Sequence, residues 1–202
     1  MTALTQPVGR VIAVVGPSGV GKDSVMAGIR AARPGTVLAR RVITRAPDSG
    51  GEDHRPATVA EFEAMVRAGA FAAHWGAHGL FYGVPIEVKD HAADGVDCLV
   101  NFSRAALTQA QAAFPSLLAL NITASPEVLA RRLAARGRES AEDIARRLAE
   151  ADKPLPSGLK VVHLCNDGPL ARTVARAVAA LDRTPPDARP RGAGAAQPEG
   201  AA

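Results

Sequence analysis

Gly16-Pro17-Ser18-Gly19-Val20-Gly21-Lys22-Asp23-Ser24 follows the apolar, β-rich run Val11-Ile12-Ala13-Val14-Val15 and opens a helical pattern. Strand, glycine loop and helix in that order make a phosphate-binding loop: glycines let backbone N–H groups turn towards phosphate oxygens, and a lysine reaches the terminal phosphates. The stretch predicts an α/β P-loop NTPase fold, a parallel sheet flanked by helices. Residues Gly16, Pro17, Ser18, Gly19, Val20, Gly21, Lys22, Asp23 and Ser24 are expected to cradle a nucleoside triphosphate, with Lys22 on its β and γ phosphates. One position departs from the usual loop. Asp23 stands where a Ser or Thr hydroxyl ordinarily meets Mg²⁺, and the hydroxyl comes one residue later at Ser24. Both are expected beside the metal, although Asp23 equally suits a helix first turn, where the macrodipole favours a carboxylate.

Composition sets the limits around this loop. A chain of 202 residues with 47% hydrophobic content fits one α/β domain. No apolar stretch approaches the roughly 20 residues of a membrane helix, and the N-terminus lacks the basic and apolar regions of a secretion signal. A cytoplasmic protein with no membrane partner is the expectation. Cys98 and Cys165 lie in strand-like apolar runs and read as reduced core thiols. The net charge of +4 is carried mostly by Arg, and only 3% of residues are aromatic. That balance suits bidentate capture of a small phosphorylated ligand better than nucleic-acid binding. Oligomeric state is not legible.

Strand-like runs near 10–15, 37–44, 96–102, 117–122 and 160–165 alternate with helical patterns, as parallel sheets require. Val25, Met26 and Ile29 share one helical face. Ser125-Pro126-Glu127 is a capped helix start leading to Val128, Leu129 and Leu133, and Leu170, Val174, Val178 and Leu181 form a stripe on the last helix. Two segments interrupt the alternation. Residues 45–84 read as a small insertion, with a helix opened by the Thr58-x-x-Glu61 capping box and two short strands around Phe71 and Tyr82. Residues 136–152 read as an Arg-rich turn and an amphipathic helix from Ser140. Residues 1–9 are expected to be a flexible N-terminus, 10–182 the domain, and 183–202 a disordered tail rich in Pro, Gly and Ala.

Two further clusters carry chemistry. The insertion holds Arg45, His54, His74, His78 and Tyr82 near glycine turns, a plausible anion-binding wall whose histidines equally suit surface or structural hydrogen bonding; their spacing does not match compact zinc pairs. Arg131, Arg132, Arg136, Arg138, Arg146 and Arg147 form the other. An arginine-bearing lid over a triphosphate would stabilise charge on the transferred phosphoryl group, with Arg136 and Arg147 its working residues; the alternative is a helix surface laced with pairs such as Glu142 and Arg146.

Gly16–Ser24, Val42-Ile43-Thr44-Arg45, Gly79-x-x-Tyr82-Gly83, Arg131-Arg132-Leu133, Arg136-Gly137, Ile144-Ala145-Arg146-Arg147 and Asn166-Asp167 together resemble the guanylate kinase family over about residues 10–181. The resemblance implies an ATP-binding core, an acceptor-binding insertion and an arginine lid, with Arg45 and Tyr82 on an acceptor phosphate and Arg136 and Arg147 on the ATP side. The departures are specific. The family's second phosphate-binding Arg is Asp48 here, its Tyr after the Gly-Glu loop is His54, and its base-reading glutamate is His74. Without that carboxylate guanine loses a hydrogen-bond partner worth about 1–3 kcal/mol, so GMP is not the expected acceptor.

With these substitutions the chain resembles the ribose 1,5-bisphosphate phosphokinases of phosphonate utilisation, on residues 16–24, Arg41-Val42-Ile43-Thr44-Arg45, Gly51-Glu52-Asp53-His54 and His74-Trp75-Gly76-Ala77-His78-Gly79-Leu80-Phe81-Tyr82-Gly83. That likeness implies transfer of the ATP γ-phosphoryl to the 1-phosphate of ribose 1,5-bisphosphate. Arg45, His54 and Tyr82 would hold one acceptor phosphate, and His74 and His78 would line the sugar side. A phosphate oxygen is already anionic, so the histidines are expected as binders and not as bases. The rival readings are a nucleoside monophosphate kinase and a non-catalytic binding module, the latter disfavoured by the intact Lys22.

Overall fold

The computed structural model describes residues 8–46, 52–135 and 154–185. Its centre is β1 (Val11–Val15), every residue of which is fully buried. A strand covered on both faces needs no polar alternation, which is why this stretch reads as a continuous apolar run. Val11, Ala13 and Val15 point to one core cluster, while Ile12 and Val14 point to the other. Around β1 runs a five-stranded, all-parallel sheet in the order β2 (Val37–Leu38), β7 (Cys98–Asn101), β1, β8 (Leu117–Thr123), β9 (Lys160–Cys165). The glycine loop leaves the carboxyl end of its middle strand, where open α/β sheets bind ligands.

Helices α1 (Lys22–Ala32), α5 (Pro126–Ala134) and α6 (Leu170–Arg183) cover one face through Val25, Met26, Ile29, Leu129, Ala177 and Leu181. The capped start of α5 forms as expected: Ser125 Oγ accepts from the Val128 N–H, with Pro126 in the first turn. The last helix is rotated from its predicted stripe. Thr173, Ala177, Ala180 and Leu181 are buried, whereas Leu170 is 41% exposed. Its contact with α1 is close: a methyl group placed on Gly28 would sit 2.4 Å from Val174 Cγ2. The glycine on α1 thus makes room for Val174 on α6.

The other face of the sheet carries α3 (Glu87–Ala93), α4 (Leu107–Ala113) and a second, four-stranded sheet, β4 (Arg55–Pro56), β3 (Val42–Ile43), β6 (Leu80–Pro85), β5 (Phe71–Ala77), with α2 (Val59–Arg67). The run 37–44 is therefore not one strand. Ala39 N–H still bonds Leu99 O in the main sheet, but Arg41 O already accepts from Arg55 N–H in the second. The capping box at Thr58 and Glu61 forms in full. Val8 and Gly9 are buried, and the Gly9 N–H bonds Ala92 O.

The two cysteines part company. Cys98 is buried, and burial followed by the nearby Asp97 charge pushes its thiol up to about 11. Cys165, expected in the core, is exposed, because it ends β9 at the sheet's edge.

At the far end of the sheet, buried Arg10 bonds Asp97 through its backbone N–H and guanidinium and donates to Leu181 O at 2.6 Å, tying β1 to the end of α6. Burial opposes ionisation of Asp97, but the Arg10 hydrogen bonds and charge outweigh it and hold the carboxyl below its ordinary value of 3.8. A lowered carboxylate contributes stability that is complete above that ordinary value and is lost as the pH falls through the lowered one. Asp97→Asn should lower stability near neutral pH by about 1–3 kcal/mol and flatten the acid limb of a melting-temperature profile. A variant with an unchanged acid limb would deny Asp97 this role.

Candidate active site

The loop between β1 and α1 is held in a shape that glycine alone adopts without strain. Gly16, Gly19 and Gly21 have φ of 151°, 82° and 93°, and a Cβ on Gly16 would lie 2.3 Å from Ile122 O. Lys22 Nζ donates to Gly16 O at 2.9 Å and to Pro17 O at 3.1 Å, so the ammonium lies over the loop. From outside, the Val20 carbonyl accepts from Asn166 Nδ2 at 2.7 Å and from Arg132 Nη1 at 3.3 Å. Asn166 is itself fixed, accepting from Thr173 Oγ1 at 2.7 Å while its carbonyl accepts from Arg132 Nη2 at 2.8 Å. Asp167 caps the approach to α5, and the Ser125 N–H it accepts at 2.7 Å lowers its carboxyl from the ordinary value. Asn166 was visible only as part of a family pattern and Arg132 as a member of the arginine cluster; nothing in their spacing announced a clamp on the loop.

Asp23 and Ser24 are exposed in the first turn of α1. Asp23 Oδ1 accepts from Asn101 Nδ2 at 3.2 Å. Asn101 ends β7 opposite Val14, next to the loop, where P-loop NTPases ordinarily place a metal-side aspartate. Carboxylate and hydroxyl oxygens are hard donors of the kind Mg²⁺ takes, so Asp23 and Ser24 fit the metal chemically. Among the described residues no group of three or more His, Cys, Asp or Glu side chains could hold a metal by itself.

Across the crevice, the second sheet presents two unlike faces. Trp75 and Tyr82 are direct cross-strand partners, stacked at 5.5 Å, and Trp75 stacks in turn on Phe102 at 5.4 Å. Arg41 lies over both rings, 5.5 Å from Trp75 and 5.0 Å from Tyr82. Its guanidinium grips Glu52 with two bonds, Nε to Oε1 at 2.7 Å and Nη2 to Oε2 at 2.6 Å, and Glu52 Oε2 also accepts from Asn101 Nδ2. Bidentate geometry and two aromatic faces suit guanidinium and not ammonium.

His74 pairs with Gly83, one residue out of phase with the Trp75–Tyr82 pair, so it points to the opposite face. Its ring lies 6.4 Å from Phe62 and 6.3 Å from Phe71, under α2. The expected common wall of His74 and Tyr82 is not formed, because the pleat separates adjacent residues. His78 and Gly79, with φ of 53° and 72°, make the two-residue hairpin turn between β5 and β6, and His78 is exposed at its tip. His54 is buried, with Nδ1 3.0 Å from Glu52 O and Nε2 3.4 Å from Arg45 O, so it braces the loop that carries both. Arg45 is half-buried and has no carboxylate within ion-pair distance among the described residues. Asp48, Arg136, Arg138, Arg146 and Arg147, and with them the expected lid, lie outside the described residues.

The guanylate kinase family matches residues 8–160 by its sequence model. A ribose 1,5-bisphosphate phosphokinase PhnN of Ruegeria sp. (strain TM1040) is 52% identical over 174 residues, 86% of this chain and 92% of that protein. The chain belongs to the guanylate kinase family, among its ribose 1,5-bisphosphate phosphokinases. Proteins of the same name from Rhizobium etli (strain CIAT 652) and Pantoea vagans (strain C9-1) are 45% and 48% identical, over 86% and 82% of this chain and 90% and 93% of their own lengths. The crystal structure of guanylate kinase from Anaplasma phagocytophilum superimposes with a TM-score of 0.68 at 20% identity, covering 89% of this chain and 88% of that one. At that identity the superposition speaks for the guanylate kinase fold alone, with a P-loop core and a parallel sheet flanked by helices.

The faces of the second sheet make a distinction within this kinase. His74→Phe keeps an aromatic ring beside Phe62 and Phe71, so steady-state kinetics should show the acceptor KM within about twofold of the parent value. An increase of about tenfold or more would mean that the imidazole meets the acceptor after all.

Proposed function

We propose that the chain transfers the γ-phosphoryl group of ATP to the 1-phosphate of ribose 1,5-bisphosphate, giving 5-phospho-α-D-ribose 1-diphosphate and ADP, as a step of phosphonate utilisation in the cytoplasm. The relatives at 45–52% identity carry the name of this activity. One observation of the site carries the choice of acceptor. Both oxygens of Glu52 are committed to Arg41, and one also to Asn101. His74, the residue that aligns with a base-reading glutamate, faces the other side of the sheet. Guanine brings N–H donors that need an acceptor, whereas a sugar bisphosphate brings anionic oxygens that need donors.

The chemistry asks little of a general base. The attacking group is a phosphate oxygen, already anionic, so catalysis rests on alignment and on neutralising charge as the phosphoryl group moves. Lys22, above the carbonyls of Gly16 and Pro17, is placed to turn its ammonium to the β and γ phosphates that enter the loop. Arg45 and Tyr82 supply a cation and a hydroxyl for one acceptor phosphate. His54 contributes by bracing the Arg45 backbone, and His78 stands at the hairpin tip on the sugar side. Arg136 and Arg147 are assigned to the ATP side as lid residues. Asp23 and Ser24 would hold Mg²⁺, which supplies positive charge to the phosphates when bound.

An ADP-release assay offering ribose 1,5-bisphosphate, GMP, AMP and dTMP in parallel is expected to show turnover with the sugar bisphosphate at least about tenfold above any nucleotide. Faster turnover of a nucleotide would overturn the acceptor assignment. The metal-side assignment has a separate check, since Asp23→Ser restores the common loop pattern and removes a carboxylate. The Mg²⁺ concentration for half-maximal rate should move by about threefold or more; an unmoved midpoint would leave Asp23 a first-turn carboxylate.

A further inference from the structure

Four side chains run without a gap from the phosphate loop to the stacked rings of the second sheet. Asp23, in the first turn of α1, accepts from Asn101. Asn101 also donates to Glu52, Glu52 holds Arg41, and Arg41 lies over Trp75 and Tyr82. The two sheets are otherwise joined by apolar packing, through Ala73, Val84 and Trp75 on one side and Phe102 and Val100 on the other. Apolar contacts are non-directional, so they set distance without setting register.

The residue type at 101 is what the chain of bonds requires. Ionised carboxylates only accept, so a group lying between two of them must donate twice, and a primary amide nitrogen carries two N–H groups without adding charge. An aspartate there would set a third carboxylate against Asp23 and Glu52. An aliphatic side chain would leave both without that donor. Asn101 thus occupies the strand end that commonly bears a carboxylate and instead gathers one carboxylate from each side, Asp23 from the first turn of α1 and Glu52 from the segment between β3 and β4.

We infer that Asn101 is a positioning residue: its amide sets the phosphate loop and the acceptor sheet in one register, so that occupancy of the nucleotide site is transmitted through Glu52 and Arg41 to Trp75 and Tyr82. It rests on the phosphotransfer reading only for the nature of the donor, a nucleoside triphosphate with Mg²⁺, and not on the identity of the acceptor. A nucleotide that turns Asp23 towards its metal alters one of the two bonds to the Asn101 amide. The other, to Glu52, then shifts the guanidinium over the rings.

Trp75 is the sole tryptophan, which makes it a reporter at the end of this chain of bonds. The full-length protein, Asn101→Ala and Asn101→Asp would each be titrated with a non-hydrolysable ATP analogue and Mg²⁺. Binding would be followed by calorimetry, Trp75 emission by fluorescence, and folding by thermal melts. The parent should show a saturable change in emission. Asn101→Ala should bind the analogue within about threefold of the parent and lose most of that change. Asn101→Asp, which has no N–H donor and sets a third carboxylate against Asp23 and Glu52, should lose the change as well. A merely structural role would move the melts and leave the Trp75 response of the folded variants intact. An unaltered Trp75 response in a folded Asn101 variant, or no response in the saturated parent, would overturn the proposal. The acceptor assay fails or succeeds independently, because no acceptor is present here.

Discussion

The carbonyl of Val20 is where the loop meets the rest of the molecule. Asn166 and Arg132 both donate to it, from the end of β9 and from α5, while Thr173 on α6 holds Asn166 in turn. Gly21 is pressed close to the same amide: a Cβ there would lie 2.9 Å from Asn166 Nδ2. Glycines leave a loop free to adopt many shapes, so its surroundings must select one. Here three elements that arrive late in the chain supply that constraint, and Lys22 and the first turn of α1 take their positions from it.

From this fixed point the second sheet is built outward. Its inner face continues the core, with Ala73 and Val84 buried among residues of β1 and β7, so the face that carries Trp75 and Tyr82 must look towards the main sheet. Arg41 works within this layer as a buried cation neutralised by Glu52. Breaking such a pair strands a charge and costs about 3–5 kcal/mol, which makes it a pivot rather than a free ligand group. Arg45, the cation proposed for an incoming phosphate, follows four residues on, where the backbone is braced by His54. The buried Arg41 and the half-buried Arg45 are thus separated by the two residues of β3 and Thr44.

Much of this was legible in the chain. The loop, its flanking strand and α1 were readable because phosphate binding demands particular residues at particular spacings, and the capping box at Thr58 and the N-cap at Ser125 because backbone groups at helix ends need local partners. Register was not readable. Whether His74 or Trp75 faces the core depends on the two-residue turn at His78 and Gly79, and a shift of one residue reverses every side chain. The split of residues 37–44 between two sheets, the rotation of α6 and the exposure of Cys165 were hidden for the same reason, since each is decided by a distant neighbour. The Asn101 bonds to Asp23 and Glu52 join residues 78 and 49 positions apart, and neither bond has a local signature.

In the proposed reaction a donor loop and a base-free acceptor face act on one phosphate. Following the reaction of ribose 1,5-bisphosphate with ATP by ³¹P NMR, with the γ-phosphoryl of ATP carrying an ¹⁸O label, tests it most directly. The label should appear in the terminal phosphorus of a diphosphate on carbon 1 of the ribose, with equivalent formation of ADP. Label recovered only in inorganic phosphate, or on carbon 5, would contradict the arrangement of donor and acceptor described above.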